Sequence, residues 1–511
     1  MTLAAVTLDD KYVQEQGRIY LSGIQALVRL PLLQRQRDQA AGLATGGFIS
    51  GYRGSPLGVY DNALWQARRF LERANVHFQP GLNEDLAATA VWGSQQTTLF
   101  PGATVDGVFG IWYGKGPGVD RSTDALKHAN AAGTAPHGGV LAIAGDDHGC
   151  QSSTLAHQSE QIFIAAMMPI LNPATVQEYL DFGLLGFALS RYSGCWVGFK
   201  AIAETVESSA SVAIDPHRIS IVPPTDFEMP QGGLNIRWPD PPLDQEARLH
   251  GPRMEAVAAF ARANAFDRVI VDSPSPRLGI ITTGKAYLDL RQALSDLGIG
   301  EREAAKLGLR IYKVGLTWPL ETSGARRFAE GLQDVLVVEE KRGLIEDQLV
   351  KLLYNMEAAR RPSIVGKRDE AGRVLLPSEG EINPTMVARA LVQRLRRLDG
   401  ESPQFNQRLA RLESLERIGD APSTKTGSPF GAILNTSKGA GSTMSAATGA
   451  TPPPQPMTSA GSAQALDTST SELWNGGDRC PCSVEEEAST CRSARVGLAG
   501  GAFSRMVLHG C

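Results

Sequence analysis

FISGYRGSPLGVYDNAL, residues 48–64, reads as a strand running through a glycine-rich turn (Gly51, Gly54, Gly58) into a helix. The turn would let backbone N–H groups approach a carboxylate or phosphate, with Arg53 and Ser55 adding side-chain donors. The same order recurs outward from it. GLATGGFISGY (42–52), TVDGVFGIWY (104–113), GVLAIAGDD (139–147), CWVGFKA (195–201) and RISIVPP (218–224) are strand candidates, with helix candidates at 83–99 and 174–192 between them. Strands alternating with helices predict α/β architecture.

Residues 235–252, NIRWPDPPLDQEARLHGP, form a proline- and charge-rich connector. Beyond it the strand–helix order repeats three times. LGIITTG precedes KAYLDLRQALSDLG, LRIYKVG precedes SGARRFAEGL, and DVLVVEE precedes LIEDQLVKLLYNM. Parallel strands with crossover helices satisfy that order. The expected domains are 1–235 and 255–400, joined by a linker at 236–254. Past about 420 the pattern stops: 36 of the 48 residues from Ser423 to Thr470 are Ser, Thr, Gly, Pro or Ala. Such a segment buries too little apolar surface to offset its ordering entropy, so 401–511 is expected to be a largely disordered tail.

The 511 residues suit two to four domains. Fifty Lys and Arg against 54 Asp and Glu leave a net charge of −4, without the basic footprint of a nucleic-acid or anionic-membrane binder. No apolar run is long enough to span a bilayer, and the N-terminus lacks a secretory pattern, so a cytoplasmic protein is expected. Six cysteines are too few for a disulfide scaffold. Cys480, Cys482, Cys491 and Cys511 crowd the end, and the CxC at 480–482 is a poor match to zinc spacing.

Three further segments carry candidate chemistry. In GLNEDLAATAVWGSQQTTLF (81–100), Asn83 can cap a helix with Glu84 in its first turn, where the macrodipole favours negative charge. Ala87, Ala88, Ala90, Gly93 and Ser94 would allow close packing around that carboxylate. WYGKGPGVDRSTDALKHANAAG (112–133) places Lys115, Asp120, Arg121 and Ser122 after a strand, and VLAIAGDDHGCQSSTLAHQSEQ (140–161) does the same with Asp146, Asp147, His148, Gln151, Ser152 and Ser153. Ligands collect outside such strand ends. His148 with Asp147 could serve as an acid/base pair and Cys150 as a nucleophile, or both loops could be purely structural. Gly279–Lys285 matches the start of a phosphate loop, but Ala286 replaces its Ser or Thr; a tight turn with an ordinary exposed lysine is the expectation.

In order, GYRGSPLG (51–58), NEDLAATAVWGSQ (83–95) and AGDDHGCQSSTLAHQSEQ (144–161) resemble the pyrimidine-binding half of the thiamine-diphosphate-dependent 2-oxoacid:ferredoxin oxidoreductases, most closely the indolepyruvate:ferredoxin oxidoreductase family. The resemblance covers about residues 15–400. It implies a thiamine-diphosphate-binding α/β fold, with a parallel sheet covered by helices on both faces, followed by a transketolase C-terminal-like α/β domain that carries ITTGKAYLDLRQAL and VLVVEEKRGLIEDQL.

The resemblance makes Glu84 the acid that holds the aminopyrimidine ring of thiamine diphosphate, with Asp146, Asp147, His148 and Ser152 also on the cofactor side. Arg53, Gly54 and Ser55 would face the 2-oxo acid. Ser55, Leu57 and Gly58 depart from the family's Thr-Pro-Ser-like loop.

The implied activity is oxidative decarboxylation of an aryl 2-oxo acid such as indolepyruvate to an acyl-CoA, with ferredoxin as acceptor. A non-catalytic fragment or scaffold, or part of a non-redox thiamine enzyme, is the alternative. The family's Gly-Asp-Gly stretch for Mg²⁺ and diphosphate is absent from the sequence, and no iron–sulfur ligation is evident. A complementary domain or subunit is therefore expected, in a homo- or hetero-oligomer, and the tail is expected to be an out-of-frame or truncated end.

Overall fold

The computed structural model describes residues 6–420. Its strands are β1 (Arg18–Ser22), β2 (Gly46–Gly51), β3 (Val76–Phe78), β4 (Val108–Lys115), β5 (Val140–Gly145), β6 (Ile170–Leu171), β7 (Val197–Lys200) and β8 (Ser209–Ala213). Then come β9 (Arg268–Val271), β10 (Leu278–Thr283), β11 (Leu309–Val314), β12 (Leu316–Trp318), β13 (Asp334–Val338) and β14 (Ser363–Val365).

A seven-stranded sheet has the order β12-β6-β7-β5-β4-β2-β3, parallel except at the β12–β6 edge. β5 is buried at every position, as a strand covered on both faces must be. Its alternation divides two cores. Leu141 and Ile143 join Ile49, Ile111, Leu27 and Phe187 on one side, while Val140, Ala142 and Ala144 join Ala87, Val91, Trp112 and Phe163 on the other. The helices Gly23–Ala40 and Val176–Ser193 cover the first side. Their close approach depends on Gly183, where a Cβ would lie 2.4 Å from Leu30 Cδ2. Ser22 starts the first of these helices with a capping box completed by Gln25.

The second sheet runs β14-β13-β10-β11-β9, with only β9 antiparallel. A single residue, Gly315, separates β11 in this sheet from β12 in the first. A Cβ there would lie 2.6 Å from the Phe266 carbonyl oxygen. Its N–H, and that of Leu316, donate to Asp267 Oδ1 at 2.8 and 3.1 Å. The first sheet thus takes a strand from residues 316–318, outside the 1–235 unit expected to hold it.

Three expectations need correction. RISIVPP forms no strand. It ends in two prolines, β1 already pairs with β8, and the Ile219 carbonyl accepts from Arg37 at 2.9 Å. The connector is not a loose linker, since it contains the helix Pro242–Arg248 and runs on into the helix Met254–Asn264. Ordered chain also extends past 400 as the helix Pro403–Asp420, whose Phe405 and Leu409 pack with Leu391 and Leu395. That i, i+4 pair is the signal that the compositional reading passed over. The low-complexity stretch from Ser423 and the four late cysteines lie outside the described residues.

Arg253 fastens the connector. Fully buried, it donates to the carbonyls of Asn130, Ala131 and Ala132 at the end of the helix Thr123–Ala132, and to that of Leu234, at 2.8–3.0 Å. Arg253→Met removes all four donations. We expect urea denaturation to show a loss of about 3 kcal/mol or more.

Candidate active site at the carboxyl ends of the strands

β3, β2, β4 and β5 are adjacent and parallel, so the segments that leave their carboxyl ends share one edge. The Gly81 N–H donates to the Gly51 carbonyl at 2.8 Å, and that of Tyr52 to the Tyr113 carbonyl at 3.1 Å. These bonds fix the lead-in to Glu84 beside the 52–59 loop.

Glu84 opens the helix Glu84–Gln95, and Asn83 caps it by accepting from the Leu86 N–H at 2.9 Å, as the sequence predicts. Trp112 Nε1 donates to the Glu84 carbonyl at 3.0 Å. The Glu84 side chain is buried against two glycines: a Cβ would lie 2.6 Å from its Oε1 at Gly118 and 3.4 Å from its Cγ at Gly114. Its carboxylate makes no hydrogen bond or ion pair with the described residues.

Asp146, at the end of β5, is a fully buried hub. Lys200 of β7 donates to it, and also to Glu160 Oε2 at 2.7 Å. Ser159 contributes its N–H at 2.9 Å and its hydroxyl at 2.5 Å. His157 lies with Nδ1 at 3.3 Å from Asp146 and Nε2 at 2.7 Å from Asp120. Burial alone would raise the pKa of Asp146, but the Lys200 ammonium and the His157 bond hold it low; the same carboxylates keep Lys200 charged.

Sequence reading missed Lys200, His157 and Glu160. One signal was available: a lysine at the end of the apolar run VGFK, which the parallel register sets opposite Ala144, two residues before Asp146.

Asp147 organises the loop itself, accepting from the N–H groups of Gln151 and Ser152 at 2.9 and 2.8 Å. These bonds lower its pKa against the effect of burial. Ser152 in turn bonds the Ser55 hydroxyl, so the 52–59 loop and the loop after β5 meet. Arg53 is exposed, and Lys115 lies against Gly54; neither makes an ion pair with the described residues.

Other expectations change. His148 does not pair with Asp147. It is buried with both ring nitrogens lacking a partner among the described residues, and it lines an interlobe cavity of about 20 Å³ with Thr283, Lys285, Glu339 and Glu340. Burial and the Lys200 charge keep its pKa well below the imidazole range. Cys150 has no histidine beside it to activate it: its thiol donates to the Ser153 carbonyl at 2.7 Å.

None of Gly51, Gly54 and Gly58 has positive φ. Gly51 is required because a Cβ would lie 2.2 Å from the Tyr113 carbonyl oxygen. Lys285 is not an ordinary exposed lysine either. Its ammonium is spent on Asp289 (2.8 Å), Glu340 (3.0 Å) and the Ile382 carbonyl (2.7 Å), in a cavity too small for a phosphate.

The second lobe reaches over the loop after β5. Glu381 Oε1 accepts from Gln151 Nε2 at 3.1 Å, and the Arg342 N–H donates to Gln158 Oε1 at 3.2 Å. Among the described residues no cluster of three or more His, Cys, Asp or Glu could hold a metal ion, and no helix is long and apolar enough to cross a membrane.

The fold is one seen in a solved 2-oxoacid:ferredoxin oxidoreductase. The 2-oxoglutarate:ferredoxin oxidoreductase from Magnetococcus marinus, solved with 2-oxoglutarate, coenzyme A and succinyl-CoA bound, superposes with a TM-score of 0.52 at 15% identity, covering 74% of this chain and 65% of that one. Residues 268–419 match the indolepyruvate oxidoreductase domain. Indolepyruvate oxidoreductase subunit IorA from Methanothermobacter marburgensis is 24% identical over 351 residues, 67% of this chain and 50% of that protein. The subunit from Pyrococcus abyssi is 24% identical over 65% of this chain and 47% of its own length. These matches make the chain similar to the indolepyruvate oxidoreductases over the second lobe and about two-thirds of its length, and it spans about half the length of the curated relatives it matches.

Asp146→Ala strands Lys200 beside a single remaining carboxylate. A loss of about 3–5 kcal/mol is expected in urea denaturation, with faster hydrogen exchange over 147–159. Asp147→Ala removes only bonds within the loop, and its cost should stay near 1–2 kcal/mol.

Proposed function

We propose that this chain supplies the pyrimidine-binding half of a thiamine-diphosphate-dependent 2-oxoacid oxidoreductase acting on an aryl 2-oxo acid of the indolepyruvate kind. The observation that carries this reading is the Glu84 carboxyl, buried, held at a capped helix head and committed to no residue of its own lobe. Such a group suits a ring nitrogen with which it can share a proton. When bound, thiamine diphosphate supplies a carbon nucleophile toward the 2-oxo carbon.

Glu84 holds the proton at the aminopyrimidine nitrogen. Gly114 and Gly118 leave room for no side chain beside it, so water is kept from its inner face. Arg53, exposed and uncommitted, binds the substrate carboxylate, and Ser55 orients it together with Ser152, fixed in turn by Asp147. Asp146 supports the loop from behind rather than meeting the cofactor, and His148 faces the second lobe. Coenzyme A as acyl acceptor and ferredoxin as electron acceptor complete the proposed reaction.

The residues described here fit the aminopyrimidine end only. None of their acidic clusters suits Mg²⁺, so the diphosphate, its metal and the iron–sulfur centre are assigned to another domain or subunit, in an oligomer with this chain. The same observation favours a second reading, a scaffold that folds without turning substrate over.

Purified chain with thiamine diphosphate, Mg²⁺, indolepyruvate, coenzyme A and a viologen dye separates the two. Dye reduction that Glu84→Gln lowers by about 10²–10⁴-fold supports the catalytic role. Equal reduction by both proteins overturns it. Without dye reduction, cofactor affinity measured by calorimetry decides: loss of binding in Glu84→Gln supports the half-site, and no binding by the native chain supports the scaffold.

A further inference from the structure

The short helix Gly116–Arg121 lies between Glu84 and His157. On one side a Cβ at Gly118 would lie 2.6 Å from Glu84 Oε1; on the other, a Cβ at Gly116 would lie 2.2 Å from His157 Cγ. His157, with a side chain 9% exposed, spans from Asp120 on that helix to Asp146 at the end of β5. The helix is tied on its far side as well, by Arg121 Nε to Asp85 Oδ2 at 3.1 Å. Two glycines thus let one turn of chain transmit the position of an imidazole to a carboxyl that the imidazole never touches.

We propose that His157 is a positioning residue for Glu84: by bridging Asp120 to the buried Asp146 it fixes the helix Gly116–Arg121, whose Gly118 sets where the Glu84 carboxyl rests. The bridge needs both ring nitrogens as donors, since both face carboxylates, and is complete only in the imidazolium. Burial opposes that charge, but the bonds to Asp146 and Asp120 outweigh it and hold the pKa above the usual imidazole value.

The other groups near the ring are the Ser159 hydroxyl, 3.4 Å from Nδ1, and, behind Asp146, the Lys200 ammonium paired also with Glu160. The sign follows from linkage. The clamp is fully present below the unfolded value of about 6.5 and is lost as pH rises through the higher folded value.

The placement of Glu84 requires no bound cofactor, but its consequence for cofactor affinity rests on the function proposed above, and the test separates the two. Hydrogen exchange of the full chain, corrected for intrinsic rates, is followed between pH 6 and 10 in the native protein, His157→Gln and Asp120→Asn. The native protein should lose protection over 84–88 and 116–121 in one step above pH 6.5. Both variants should exchange there about tenfold faster at pH 6 and show no step, while the second lobe stays unchanged.

Unchanged exchange over these segments, an equal rise throughout the molecule, or a pH step that persists in His157→Gln overturns the proposal. Calorimetry with thiamine diphosphate and Mg²⁺ tests the underlying reading by itself. Glu84→Gln binding as tightly as the native chain refutes that reading and leaves the exchange result standing.

Discussion

A carboxylate with no access to water, Asp146, is the constraint on which the candidate site depends. Buried ions survive only when their partners replace the lost hydration, and Asp146 obtains those partners from β7, from the loop that follows it and, through His157, from the helix after β4. Two neighbouring parallel strands are thereby pinned at their carboxyl ends. The loop that leaves β5 must close back on its own starting point, and this closure brings Ser152 to Ser55.

Around that hub the polar groups divide into two kinds. Asp146, Asp147, Lys200, Glu160 and Lys285 are saturated by internal partners and are occupied with holding the backbone. Glu84, Arg53 and Lys115 are uncommitted among the described residues. A rigid saturated layer beneath a few unsatisfied groups is the arrangement that preorganised sites require, because reorienting the ligand-facing groups would mean disturbing the layer below.

The α/β class, the main strands and the capped helix at Glu84 were legible because they are written locally, in runs such as VLAIAG and in Asn83 before Glu84. Much of the rest is set by contacts distant in sequence. RISIVPP looks like a strand by composition, yet it joins no sheet, which no local pattern records. Phe405 and Leu409 were hidden by the low-complexity stretch that follows them. The pairing of Asp146 with Lys200 spans 54 positions and depends on strand order. His148 beside Asp147 misled for the opposite reason: neighbours in sequence at a strand end point to different sides, one into its own loop and the other toward the second lobe.

Gly315 makes the two lobes share a strand-to-strand crossing. With one residue between β11 and β12, the second lobe lends a strand to the edge of the first sheet, and Asp267 grips the crossing from the side. A boundary drawn in the connector would cut the chain where it is easiest to see and still leave three residues of the first sheet in the other piece. The lobes are therefore not interchangeable modules. Leu171 and Leu316 face each other there, so a piece of chain that lacks residues 316–318 leaves that edge of β6 unpaired.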